Sequence, residues 1–276
     1  MTPLELEQLA REIGDEVMTR LGHDPKAAAS HGCACETPAR EPQASGPSAA
    51  QHAQALPHTV ASLINQTLLR ADATEQQIRQ LCGEARQYRF GSVCVQPARV
   101  ALAVRELRGT KIQVCSVIGY PHGATLTPVK LAEAEQVLKL GAGALELAIH
   151  AGSLESGDLD AVYTEIRVLA ECARAAGAQL KVLAELPSLG EQAQVTVCAL
   201  ARLAGADAVK TSADLPGSLL SVNDLSLTNR IVGGELDIEA AGGVNDYARF
   251  REMLAAGASR VGSEAGVAIV NEAARG

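Results

Sequence analysis

The sequence predicts an α/β fold, a closed (β/α)8 TIM barrel preceded by a short amphipathic helix and a flexible linker. Three observations predict it. From residue 60 onward, short apolar runs alternate with helical patterns at spacings of roughly 25–35 residues, as a chain of βα units requires. The runs are built from Val, Ile, Leu and Ala, the composition of parallel strands buried on both faces. Eight such runs fit within about 215 residues, the length of one barrel domain. A doubly wound open sheet is the alternative. It requires a Gly-rich phosphate loop after an early strand, and "VCVQPARV" (93–100) supplies none.

Residues 1–22 read as one amphipathic helix. Thr2 suits the N-cap, Pro3 the first helical position, and Glu5 completes a capping box. Leu6, Leu9, Ile13, Val17 and Leu21 step by three and four and make a single apolar stripe, and Gly22 ends it. Residues 23–59 are rich in Ala, Pro, Ser, Gln and Gly without periodicity, and read as a flexible linker. A helix on so long a tether has no obligatory neighbour. Packing on the barrel is one destination for its stripe; a groove on a partner protein is the favoured one. The exposed stripe predicts that truncation improves solubility. His31, Cys33 and Cys35 lie in the linker as three soft donors without a second pair, and read as free thiols rather than a metal site.

Residues 60–276 form the barrel. Its expected strands are Leu63–Thr67, Ser92–Val95, Gln113–Ile118, Ala144–Ile149, Leu180–Glu185, Ala208–Ser212, Leu236–Ala240 and Arg260–Gly262. The chain has no Trp and only 2% aromatic residues, so its core must be aliphatic. A formal charge of −8 without basic blocks argues against a nucleic-acid partner. No apolar stretch reaches the length of a membrane span, and the acidic N-terminus lacks the features of a secretory signal. The odd number of scattered cysteines, mostly within apolar runs, points to reduced thiols in a cytoplasmic protein.

Function in such a barrel sits at the C-terminal ends of the strands. The polar residues that close apolar strands are Asn65, Thr67, Cys94, Glu146, Lys181, Glu185, Lys210, Glu239, Ser263 and Glu264. Lys210 stands out, because a lysine in an Ala/Val strand points into a low-dielectric interior. Desolvation lowers the pKa of a buried amine and makes it a nucleophile toward carbonyls. The plainer alternative is a structural lysine paired with Glu146 or Glu239.

The segments "LINQTLLRADAT" (63–74), "RFGSVCVQPARV" (89–100), "VIGYPHGA" (117–124), "GAGALELAIHAG" (141–152), "LKVLAELPSL" (180–189), "AGADAVKTS" (204–212), "EAAGGVNDY" (239–247) and "AAGASRVGSEAGVAIV" (255–270) resemble the deoxyribose-phosphate aldolases across about three quarters of the chain. The resemblance implies a class I aldolase that needs no metal or cofactor. It implies reversible cleavage of 2-deoxyribose 5-phosphate to acetaldehyde and glyceraldehyde 3-phosphate through a lysine imine. Lys210 then matches the imine lysine, and Lys181 a lysine in the same barrel mouth. Gly242 and Gly243 match backbone positions near the substrate phosphate. Cys94, Asn65 and Ser263 join them as substrate-binding candidates, and the resemblance implies a homo-oligomer.

Several positions depart from that pattern. Glu146 stands where the family has a proton-transferring aspartate. Glu239 replaces a second lysine that lowers the nucleophile's pKa, and an anion there acts in the opposite direction. Glu264 and Ala265 replace a serine pair at the phosphate, Asn65-Gln66 an Asp-His, and Ala213 a threonine. Either the substrate is less anionic than the family's, or the chain is a catalytically impaired relative kept for binding or structure. The N-terminal helix and Ala/Pro-rich linker resemble the encapsulation peptides of enzymes packaged in bacterial microcompartments, which implies a shell protein as partner of residues 1–22.

Overall fold

The computed structural model describes residues 3–22, 57–214 and 218–275. The expected Thr2 cap, the His31-Cys33-Cys35 group and most of the linker lie outside the described residues. After α1 (Pro3–Arg20) and α2 (Pro57–Ser62), the barrel alternates strands with helices: β1 (Ile64–Leu68), α3 (Glu75–Tyr88), β2 (Ser92–Val95), α4 (Val100–Glu106), β3 (Gln113–Ile118), α5 (Thr127–Lys139), β4 (Ala144–Ala148), α6 (Ala151–Glu155), α7 (Leu159–Ala175), β5 (Gln179–Leu183), α8 (Glu191–Leu203), β6 (Ala208–Lys210), α9 (Val222–Val232), β7 (Asp237–Ala240), α10 (Tyr247–Ala255), β8 (Arg260–Ser263) and α11 (Gly266–Ala273).

The eight strands form a closed parallel barrel in sequence order. Pairing of β1 with β8, Gln66 opposite Ser263, closes it. Strand alternation then divides each segment between two environments. In β4 and β5, Leu145, Leu147, Leu180 and Val182 join the large aliphatic layer between barrel and helices. Their neighbours Glu146 and Lys181 face the other way, into the barrel, and lie opposite each other in the register. A second, small apolar cluster of Leu69, Cys94, Cys115, Val117 and Ala144 is separate from that layer. Local signals start the helices as expected for their residue types. Thr74 caps α3 with Gln77, and Ser221 caps α9 with Asp224, both as reciprocal capping boxes.

Two expectations change. The linker reading extended to residue 59, but α2 already begins at Pro57. The stripe of α1 is not left for a partner protein. Leu6, Ala10, Ile13 and Val17 are buried, and α1 packs chiefly on α8, with further contacts to α7 and α9. The cause lies in α8. Its residues Gln194–Ala201 are all buried and, Gln194 and Thr196 apart, apolar, so its outer side also needs a cover.

Candidate active site

The inward residues of five strands converge on one buried group of charges. Lys210, the last residue of β6, pairs in register with Glu239 of β7. Its Nζ donates to Glu146 Oε2 at 2.8 Å and lies 3.3 Å from Glu239 Oε1. Lys181 Nζ donates to Glu239 Oε2 and, at 3.4 Å, to Glu146 Oε1. The two ammonium groups and two carboxylates therefore interleave, each lysine touching both glutamates. Asn65 Nδ2 donates to Glu146 Oε1 at 3.0 Å and to Glu239 Oε1 at 2.8 Å, and Ser92 Oγ fixes the amide by donating to Asn65 Oδ1 at 2.9 Å. All four charged residues are buried. Such a group is tolerated in a low-dielectric interior because every charge has a partner of opposite sign.

This balance sets the protonation states. Burial opposes the charge on Lys210, but Glu146 and Glu239 outweigh it and raise its pKa well above the usual lysine value. Lys181 follows the same pattern, with burial overcome first by Glu239. Burial opposes the charge on Glu239 too, yet Lys181 and Lys210 hold its carboxyl down to about 2. The two carboxylates thus reverse the lowering expected from burial in an Ala/Val strand, in the direction expected of a glutamate at position 239.

The apolar side of the group holds two thiols. Cys115 Sγ donates to Glu146 Oε1 at 3.3 Å. Burial keeps Cys94 protonated by pushing its pKa well above the usual thiol value. Cys94, Cys115 and Glu146 place ligand atoms within 4.8 Å of one another, close enough to share a soft cation. The ammonium groups already on Glu146 repel one, so the set fits a metal poorly. Gly262 in β8 gives the charges their space. A methyl there would lie 2.8 Å from Glu239 Oε1 and 3.2 Å from Lys210 Nζ.

The remaining predicted residues form a second group above the first. Gly242 and Gly243 turn the chain after β7 with φ of +108° and +77°, a region closed to most side chains. The Gly242 N–H donates to Asp214 Oδ1 at 2.7 Å. Ser263 Oγ donates to Val244 O at 2.6 Å and accepts from the Ala265 N–H, so its hydroxyl is engaged within the loop. Gln66 spans the β8–α11 turn, donating to Glu264 O and accepting from the Gly266 N–H. Glu264 itself is exposed. Glu185 accepts from Ser212 Oγ, Ser218 Oγ and the Ala213 N–H, which ties the β6–α9 loop to the end of β5. Tyr120 O–H donates to Ala213 O at 3.1 Å, and burial pushes its phenol up to about 12. Asp214, Tyr120 and Gly262 escape sequence reasoning, since none carries a pattern that separates it from an ordinary loop or strand residue.

A family model described as DeoC/LacD family aldolase matches residues 59–272. The deoxyribose-phosphate aldolase of Geobacillus sp. (strain WCH70) is 41% identical over 213 residues, covering 77% of this chain and 95% of the relative. That of Streptococcus pneumoniae (strain 70585) is 42% identical over 208 residues, covering 75% and 93%. Among solved structures, the tetrameric deoxyribose phosphate aldolase from Aeropyrum pernix aligns with a TM-score of 0.75 at 29% identity, covering 81% of this chain and 95% of that one. The match spans the whole barrel and every strand that contributes to the charged group, and the chain belongs to the DeoC/LacD family of aldolases.

Proposed function

We propose that this chain is a class I aldolase acting through an imine on Lys210, and that it reversibly cleaves 2-deoxyribose 5-phosphate or a related sugar to acetaldehyde and a second aldehyde, glyceraldehyde 3-phosphate for the phosphorylated sugar. The observation that carries this reading is a buried lysine at the C-terminal end of a barrel strand with a carboxylate 2.8 Å away. The neutral Lys210 amine attacks the carbonyl, and loss of water leaves a protonated imine. Glu146 takes the proton of the substrate hydroxyl as the carbon–carbon bond breaks. The bonding pair moves into the imine and leaves an enamine. Protonation of its carbon and hydrolysis release acetaldehyde and restore the lysine. Asn65 and Lys181 hold Glu146 in position.

Borohydride reduction in the presence of acetaldehyde tests the proposal. An ethyl adduct on Lys210, located by mass spectrometry and lost in Lys210→Ala, is the expected result. A second reading is a catalytically impaired relative kept for binding or structure. It is favoured by the raised pKa of Lys210 and by the carboxylate seated on Gly242. Absence of the adduct from pH 5 to 10 would decide for it.

The tetrameric Aeropyrum pernix relative supports a homo-oligomeric assembly. Residues 1–22 are proposed to deliver the enzyme into a bacterial microcompartment by binding a shell protein. The resemblance of the helix and linker to encapsulation peptides supports this. Because the stripe of α1 lies on α8, delivery requires α1 to exchange the barrel for the shell. A fluorescent protein carrying residues 1–25 should collect in the shells of cells that make them, and diffuse fluorescence would count against it.

A further inference from the structure

Two consecutive glycines with positive φ, turning their amides toward a barrel mouth, make a cradle that suits an anion. In this chain the cradle is filled from within. Asp214, in the left-handed region at φ +56°, brings Oδ1 to the Gly242 N–H at 2.7 Å. Its own N–H donates to Ser212 Oγ at 3.0 Å. Leu219 lies over the second glycine, where a methyl on Gly243 would meet its Cδ2 at 2.5 Å. A phosphate reaching the Gly242 amide would have to displace the Asp214 carboxylate.

The other oxygen of the same carboxylate has no partner among the described residues. Asp214 Oδ2 is buried and without a hydrogen bond among the described residues. Burial raises the Asp214 pKa, while the Lys210 ammonium and the Gly242 N–H favour its anion; as a carboxylate its second oxygen only accepts, so whatever completes it must donate. A hydroxyl does so; the oxygens of a phosphate dianion, acceptors themselves, do not. The surrounding charges agree. Glu185 and Glu264 add to Asp214, and the two ammonium groups of Lys181 and Lys210 are already matched by Glu146 and Glu239. Arg70 is paired with Asp72.

We propose that Asp214 is a specificity-determining residue that turns the anion subsite into a hydroxyl subsite, so that the preferred substrate is an unphosphorylated hydroxyaldehyde or deoxy sugar. The inference deepens the aldolase reading and rests on it. The test compares 2-deoxyribose with 2-deoxyribose 5-phosphate in wild type, Asp214→Asn and Asp214→Gly; the left-handed backbone tolerates both replacements. Wild type should favour the neutral sugar in kcat/KM. In Asp214→Gly the ratio should move by about 10²-fold toward the phosphorylated sugar, the scale on which juxtaposed like charges suppress binding. Preference of wild type for the phosphorylated sugar, or an unmoved ratio in Asp214→Gly, overturns the inference. Calorimetry with inorganic phosphate gives a second readout that needs no turnover. Binding by Asp214→Gly but not by wild type supports the assignment, and equal binding by both overturns it. Failure of acetaldehyde trapping at Lys210 would instead sink the aldolase reading.

Discussion

Replacing Glu239 by glutamine should make Lys210 a faster nucleophile at neutral pH. The amide keeps the length of the side chain, and its carbonyl still accepts from Asn65 Nδ2, now 2.8 Å from the carboxylate. What disappears is one negative charge 3.3 Å from Lys210 Nζ, together with the Oε2 acceptor of Lys181, which keeps Glu146 as its partner. At an effective dielectric of about 20, that attraction is about 5 kcal/mol, or roughly 3–4 pKa units. Glu146 remains on the same nitrogen, and side-chain relaxation and water entry reduce the effect to about 2 units. The sign is fixed, because losing an anion destabilises the ammonium form and the Lys210 pKa falls. The free-amine fraction at neutral pH then rises about 10²-fold, since each unit is a factor of ten. The rate of borohydride trapping with acetaldehyde, measured against pH and mapped to Lys210, reads this directly. The inflection should move to lower pH by about 2 units. An inflection that stays in place, or moves upward, would refute the claim that Glu239 holds Lys210 protonated.

Three further outcomes follow from the packing. Lys130→Met should cost about 3–5 kcal/mol in urea unfolding, because it strands Glu165, which accepts from Lys130 Nζ at 2.7 Å inside the protein; adding Glu165→Leu should recover most of the loss. Gly262→Ala should keep the fold by circular dichroism yet slow trapping by about 10²-fold, since its methyl displaces Glu239 and Lys210 by a fraction of an ångström or more. Deleting residues 1–22 should lower Tm and increase light scattering. This is the opposite of what the tethered stripe alone suggests, because it uncovers the apolar outer side of α8.

The barrel was legible because each strand is a short apolar run between polar turns, and two of the expected strands, Ser92–Val95 and Gln113–Ile118, match residue for residue. The others shift by a residue or more at their ends. Glu185 closes an expected strand but adopts a left-handed conformation after β5 has ended. The members of the charged group were also legible singly, as polar residues ending apolar strands. Their pairing was not. It depends on barrel closure, which brings Asn65 to Glu146 and Glu239 across 81 and 174 residues of sequence. The strand alone points to a lowered Lys210 pKa and the glutamate at 239 to a raised one; that the carboxylates prevail follows from that pairing. Asp214 lies beyond its strand, where an aspartate signals nothing in particular. The destination of the α1 stripe did have a signal, in "QVTVCALA" (194–201), a helical run with no polar outer face.

If Glu239 stands in place of a family lysine, as the resemblance implies, the exchange changes more than one contact. With the family's lysine there, the four-residue group would hold three cations and one anion, and the excess positive charge would press the amine toward neutrality. With glutamate it holds two of each. The carboxylates that keep Lys210 as an ammonium also stabilise its protonated imine, because both forms carry their charge on the same nitrogen. On the proposed imine chemistry, the exchange would slow attack on the carbonyl while leaving the electron sink for carbon–carbon cleavage intact, and would place the barrier on amine deprotonation. Asp214 follows the same logic at the other end of the substrate: an anion sits where an anion would bind. A site with its cations internally matched and its amide cradle already occupied has little to offer a phosphate. On the proposed reading it retains, in Lys210, Glu146 and an Asp214 oxygen unpartnered among the described residues, what a neutral hydroxyaldehyde requires.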